Sequence, residues 1–113
     1  MGAVSDDDPP SWHVDVDPQP DGVVVHVAGD LDLETAPLLI ADAEPLFRPD
    51  HAVVIDLRRL AFIDSSGLAA LIRLHRHASG NGSRFEIIAP GPPVAKAFQI
   101  TGLDQVLPLR GDA

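Results

Sequence analysis

Two short stretches of the chain carry side chains able to do chemistry. Asp64-Ser65-Ser66-Gly67 sets two hydroxyls behind a carboxylate and ahead of an apolar run of helical character, and Gly29-Asp30-Leu31-Asp32 alternates acidic and apolar residues. At a helix start, Ser65 can accept hydrogen bonds from the first free amides, and the positive end of the helix dipole would stabilise a phosphate on its oxygen. Ser65 is therefore open to two readings, a plain cap or a phosphoacceptor. Gly67 fits both, since a residue without Cβ lets another backbone or a ligand approach closely. Taking Leu68 as the origin at ~100° per residue, with Leu68, Leu71 and Ile72 on the core side, Ser66 points outward and Ser65 lies near the boundary, unless Ser65 is a cap outside the helical phase.

Other chemistry finds no footing. Ser65 lacks the flanking glycines of a nucleophile elbow, and no histidine is placed by motif to activate it. His75 and His77 are two apart on a helix and face different directions, and none of the five histidines shows metal-ligand spacing. No phosphate-cradling or dinucleotide-type glycine loop occurs. No catalytic residue, metal site or cofactor is expected, and the protein is not expected to be an enzyme.

Both stretches need elements to hold them. Trp12, Val14 and Val16 alternate, Pro18-Gln19-Pro20-Asp21-Gly22 supplies a turn, and residues 23–28 are rich in β-branched side chains, which predicts a hairpin. Thr35 is placed to cap a helix whose first turn tolerates Pro37, with Leu38, Leu39, Ala43 and Leu46 at helical spacing up to Pro49. The continuous apolar run 52–57 predicts a central strand buried on both faces, joined to Asp64 by a short loop. Leu68, Leu71, Ile72 and His75 share one helix face, Arg73, Arg76 and His77 lie largely opposite, and Gly80-Asn81-Gly82 ends the helix. A strand over 84–89, a helix from Pro92-Pro93 to about Ile100 and an extended piece over 105–109 complete the chain.

The predicted class is α/β, a single domain of order β-β-α-β-α-β-α-β, with an initial hairpin and then parallel strands joined by crossover helices. Open sheets of this kind carry their sites at the carboxyl edge of the strands, which brings the acidic stretch and the serine pair together.

At 113 residues, against a prior of ~150 per domain, there is room for one domain. Hydrophobic residues at 45% and charged ones at 22% allow a real core. A formal charge of −9 repels phosphate backbones and anionic lipid, so direct nucleic-acid or membrane partners are not expected. Residues 1–56 hold thirteen acidic groups against Arg48 alone, whereas 57–113 hold seven basic groups against four acidic. That asymmetry suits an acidic docking surface or a solvated face with an acidic tail. The absence of cysteine suits a reducing compartment. Residues 1–11, with Asp6-Asp7-Asp8-Pro9-Pro10, read as a loose acidic tail and not as a signal peptide; the domain is expected over 12–113, in the cytoplasm.

Gly29-Asp30-Leu31-Asp32, then Val53 to Leu57 running on through Phe62-Ile63-Asp64-Ser65-Ser66-Gly67-Leu68, then Ala97-Phe98-Gln99-Ile100-Thr101-Gly102-Leu103, together resemble the STAS-domain anti-sigma factor antagonists in order and spacing. The resemblance implies that a serine-protein kinase, itself an anti-sigma factor, binds this domain and phosphorylates Ser65, and that a metal-dependent serine phosphatase restores the active form. It also implies a contact surface of Asp30, Asp32, Asp64, Ser66 and Gly67, through which the unmodified protein sequesters the kinase and so releases a sigma factor. A second reading keeps the fold and makes the chain an unphosphorylated STAS subunit of a membrane transporter complex.

Overall fold

Strand order follows chain order. A computed structural model describes residues 12–111 and contains β1 (Trp12–Gln19), β2 (Gly22–Leu31), α1 (Ala36–Ala43), β3 (Ala52–Ile63), α2 (Ser65–Asn81), β4 (Arg84–Ile88), α3 (Pro92–Thr101) and β5 (Leu109–Arg110). The expected tail, Met1–Ser11, lies outside the described residues. The sheet runs β1-β2-β3-β4-β5; β1 is antiparallel to β2 through the two-residue turn Pro20-Asp21, and β2 to β5 are mutually parallel. Right-handed crossovers that step one way across a sheet put their helices on one face. Accordingly, Leu39 of α1, Leu71 and Leu74 of α2 and Phe98 of α3 share one core with Val25, Val27, Val53, Ile55 and Ile87 from alternate strand positions.

Several boundaries differ from the sequence reading. β3 does not stop at residue 57 before a loop; it continues to Ile63 and delivers Asp64 directly. Its pairing with β2 jumps twice, from His26↔Asp56 to Ala28↔Arg59 and from Gly29↔Leu60 to Asp30↔Phe62, and each time β3 uses one extra residue. These bulges turn the alternation of a strand into a spacing of three, so Leu57, Leu60 and Ile63 are all buried. Gly29 lies beside the second bulge at φ 103°, a conformation that suits glycine.

Thr35 precedes α1 but does not cap it, and α1 gives way to a 3-10 turn over Glu44–Leu46; the helix buries Leu39 and Ala43 as expected, and Ala36 with them, whereas Leu38 is exposed. In α2 the most buried stripe is Leu68, Leu71, Leu74 and Ala78, with Ile72 and His75 half-buried. Residues 103–105 form a 3-10 turn, which shortens the last extended piece to Leu109–Arg110. His75 and His77 are ring neighbours of the core, with centroids 6.1 Å from Phe85 and 5.6 Å from Phe47 respectively.

One carboxylate on the sheet is buried, with Asp56 only 4% exposed. Its Oδ1 accepts from the Arg58 amide and Nε, both at 3.0 Å, and its Oδ2 from Arg58 Nη2 at 2.9 Å and His26 Nδ1 at 2.8 Å. Burial pushes the Asp56 carboxyl up, but the hydrogen bonds from Arg58 and His26 outweigh it and hold the group well below the usual carboxylate range. A carboxyl depressed in the folded state contributes stability that is present above its unfolded pKa, ~3.9, and is withdrawn as the pH falls below it. Asp56→Ala leaves Arg58 and His26 without this acceptor. The expected loss is about 2 kcal/mol at pH 7, discounted because Arg58 is partly exposed. Urea titrations at pH 7 and pH 3 check it: the gap between variant and wild type should narrow at pH 3, and a constant gap would be the contrary result.

Candidate functional site

The ends of β2 and β3 are joined at one edge of the sheet. Asp30 pairs with Phe62 and Leu31 with Ile63, and the Asp64 amide then donates to Leu31 O at 3.2 Å. α2 begins at the next residue, so Ser65 stands at the tip of the β2–β3 ribbon, beside the loop that follows β2. β4 ends early, pairing Ile88 with Asp56, and the ribbon projects beyond it.

The cap of α2 is Asp64 and not Ser65. Asp64 has an extended backbone, and its Oδ1 accepts from the amides of Ser66 at 2.9 Å and Gly67 at 3.1 Å. Aspartate caps well because its carboxylate also meets the positive end of the helix dipole. Ser65 is therefore the first residue inside the helix, and its hydroxyl is not needed for capping. The exposure order is also the reverse of the helical-wheel expectation: Ser65 is exposed and Ser66 half-buried. A wheel phased on Leu68, Leu71 and Ile72 misplaces both, because the buried face of α2 also takes in Gly67, Ala70, Leu74 and Ala78 and so lies turned away from Ile72.

The acidic stretch divides by role. Asp30 is exposed. Asp32 is half-buried and holds its own loop, its Oδ1 accepting from the amides of Glu34 at 3.0 Å and Thr35 at 3.1 Å. Thr35 Oγ1 donates to Asp30 O at 2.7 Å and accepts from the Asp32 amide at 2.9 Å, which is why it is not free to cap α1. The loop is thus ordered by its own polar groups before any partner arrives.

Gly67 corrects an expectation. It is buried, and a Cβ there would lie 2.6 Å from Leu31 O and 2.7 Å from Ile63 Cγ1. Its place is inside, where its small size lets α2 sit close against the ends of β2 and β3, and not in a contact surface. Among the residues expected there, Asp30 is the exposed one, with Asp32, Asp64 and Ser66 half-buried.

Sequence reasoning missed a groove. Between α1 and α2 lies a concavity of about 670 Å3 walled by Leu33, Pro37, Ile40, Ala41, Ser66 and Ala69. A signal for it was present, since Leu33 is an apolar residue flanked by Asp32 and Glu34 in a loop. Among the described residues, no group of three or more His, Asp or Glu side chains is arranged to hold a metal ion, and no helix is long and apolar enough to cross a membrane.

A mixed sheet with crossover helices on one face, offering an exposed serine and an ordered acidic loop at one edge, is a small α/β domain suited to recognition. Comparison with known proteins places it further. A family model described as Mlab, STAS domain matches residues 14–110, and the chain belongs to the STAS-domain family. It is 25% identical over 89 residues to the anti-sigma F factor antagonist of Paenibacillus polymyxa, covering 77% of this chain and 76% of that one. It is 25% identical over 95 residues to the anti-sigma-B factor antagonist of Bacillus subtilis strain 168, covering 84% and 87%. The crystal structure of an anti-sigma factor antagonist from Mycobacterium paratuberculosis is similar, with a TM-score of 0.75 and 33% identity over 88% of this chain and 85% of that one.

Proposed function

We propose that the protein is an anti-sigma factor antagonist of the cytoplasm, controlled by phosphorylation at Ser65. Unmodified, it binds a serine-kinase anti-sigma factor and so frees a sigma factor for transcription; it acts by binding and not by catalysis of its own. The kinase transfers the terminal phosphoryl group of its nucleotide to Ser65 Oγ, whose proton leaves, and a metal-dependent serine phosphatase returns the hydroxyl by hydrolysing the ester. Asp30 lies in the contact surface, Asp32 and Asp64 shape it, and Ser66 borders it.

The observation that carries this reading is the position of Ser65. Its side chain is exposed on the first turn of a 17-residue helix that Asp64 already caps, so the hydroxyl can enter another protein's active site without the helix losing its cap. Similarity to proteins named anti-sigma factor antagonists supplies the partner class.

The test is to incubate the protein with each serine-kinase anti-sigma factor of its source organism and ATP, and to map the product by mass spectrometry. Phosphate on Ser65 and none on Ser66 is expected. Phosphate on Ser66 alone rejects the assignment, and an unmodified protein that co-purifies with a transporter ATPase rejects the function.

A further inference from the structure

We propose that the groove between α1 and α2 receives an amphipathic helix of the anti-sigma factor, which grips the antagonist beside Ser65 through apolar side chains. This rests on the function proposed above and names the surface that holds the partner. Three observations carry it.

The groove has the shape and lining of a docking site. Ala41 and Ala69 are small and exposed, which leaves a hollow between two helices whose other wall residues include Pro37 and the half-buried Ile40. A volume of about 670 Å3 falls within the ~300–1,000 Å3 of sites that take compact apolar groups, and helices lodge in such grooves through side chains spaced three and four apart. Leu33 stands at the mouth, 74% exposed on a loop that is already ordered by Asp32 and Thr35. With Pro37, Ile40, Ala41 and Ala69 it forms one continuous apolar lining, which a partner's apolar face would cover.

The groove is continuous with the serine. Ser66 forms part of its wall, so a helix lying in it crosses the first turn of α2 and reaches Ser65. A kinase held there has its substrate hydroxyl at the edge of its own footprint.

Charge identifies the occupant. Next to the serine, Asp30, Asp32, Glu34 and Asp64 are acidic, while Glu44 and Arg73 in the groove wall pair with each other at 2.8 Å and leave little net charge. The complementary helix is apolar along the groove and carries Lys or Arg at the serine end. A second copy of this chain fits poorly, because it would bring −9 against −9.

The experiment is calorimetric titration of the purified protein with the serine-kinase anti-sigma factor of the source organism. Ala69→Arg and Leu33→Ser alter exposed residues and should keep a native circular dichroism spectrum, yet each should bind about tenfold or more weakly than wild type. Gln99→Glu, exposed on α3, should bind as wild type does. Wild-type affinity in both groove variants overturns the groove and leaves Ser65 standing. A wild-type protein that binds no such kinase overturns the underlying function and the groove with it. A wild-type dimer in light scattering that Ala69→Arg dissolves gives the groove to a second copy and also overturns the proposal.

Discussion

Ser65→Asp is expected to bind the serine-kinase anti-sigma factor at least ~100-fold more weakly than wild type while its circular dichroism spectrum stays native. Two local effects act on the fold and roughly offset each other. A negative group on the first turn of α2 gains ~0.3–1 kcal/mol from the helix dipole. Against this stands repulsion from Asp64, whose carboxylate already occupies the Ser66 and Gly67 amides. The side chain at 65 is exposed, so solvent and salt screen that repulsion, and neither effect approaches the stability of a domain. At the interface there is no such offset. Under the proposed function, a kinase that phosphorylates Ser65 would hold an anionic nucleotide facing that position, and a ~100-fold loss needs only ~2.7 kcal/mol of repulsion and lost fit. Phosphate, at ~−1.5 to −2 charges, should weaken binding further than one carboxylate does. Ser65→Ala should keep near-normal affinity and resist inactivation by kinase and ATP. Surface plasmon resonance with the three proteins decides the matter. If Ser65→Asp bound as tightly as wild type, the charge mechanism would be wrong, and if it unfolded, the switch would act through stability.

The order of elements was legible because each has its own local cause. The alternation after Trp12, the prolines in the first turns of α1 and α3, the apolar run at 52–57 and Gly82, which ends α2 at φ 68°, needed no tertiary context. What stayed hidden depended on pairing. Leu57, Leu60 and Ile63 recur every three residues because β3 bulges twice against β2, and a spacing of three read alone resembles a helix or a loop. Asp64 and Ser65 are both acceptable caps by residue type, and only the backbone decides between them. Asp64 is extended and lies where its amide can reach Leu31 O, which draws the cap one residue earlier than the serine. Asp56 lies within the run read as continuously apolar, and its partners His26 and Arg58 come from the neighbouring strand and from two residues onward on its own. Gly67 was read as a place where something approaches closely, which is correct. That something is the sheet of its own chain.

That close approach gives the second large effect. Gly67→Val should lower stability by about 3 kcal/mol, or a melting temperature drop of ~12–20 °C. A Cβ at this position would meet Leu31 O at 2.6 Å, Ile63 Cγ1 at 2.7 Å and Leu31 Cγ at 2.8 Å. None of these is the end of a flexible exposed side chain. Leu31 and Ile63 are buried register partners at the ends of β2 and β3, and Leu31 O is itself held by the Asp64 amide. Relief requires the first turn of α2 to lift from the sheet, drawing the buried Leu68 and Leu71 outward and disturbing the cap that fixes Ser65. Gly67→Ala separates this cause from helix propensity. Alanine gains up to ~1 kcal/mol over glycine in a helix, so a site with open space would become more stable on that change. Here the methyl itself meets the Leu31 carbonyl, and Gly67→Ala should be destabilised by about 1 kcal/mol despite the better propensity. Thermal unfolding of both variants makes the comparison. A Gly67→Ala protein more stable than wild type would show that α2 can move off β2 and β3 at little cost, and that the position of Ser65 is less rigidly set than the packing at Gly67 requires.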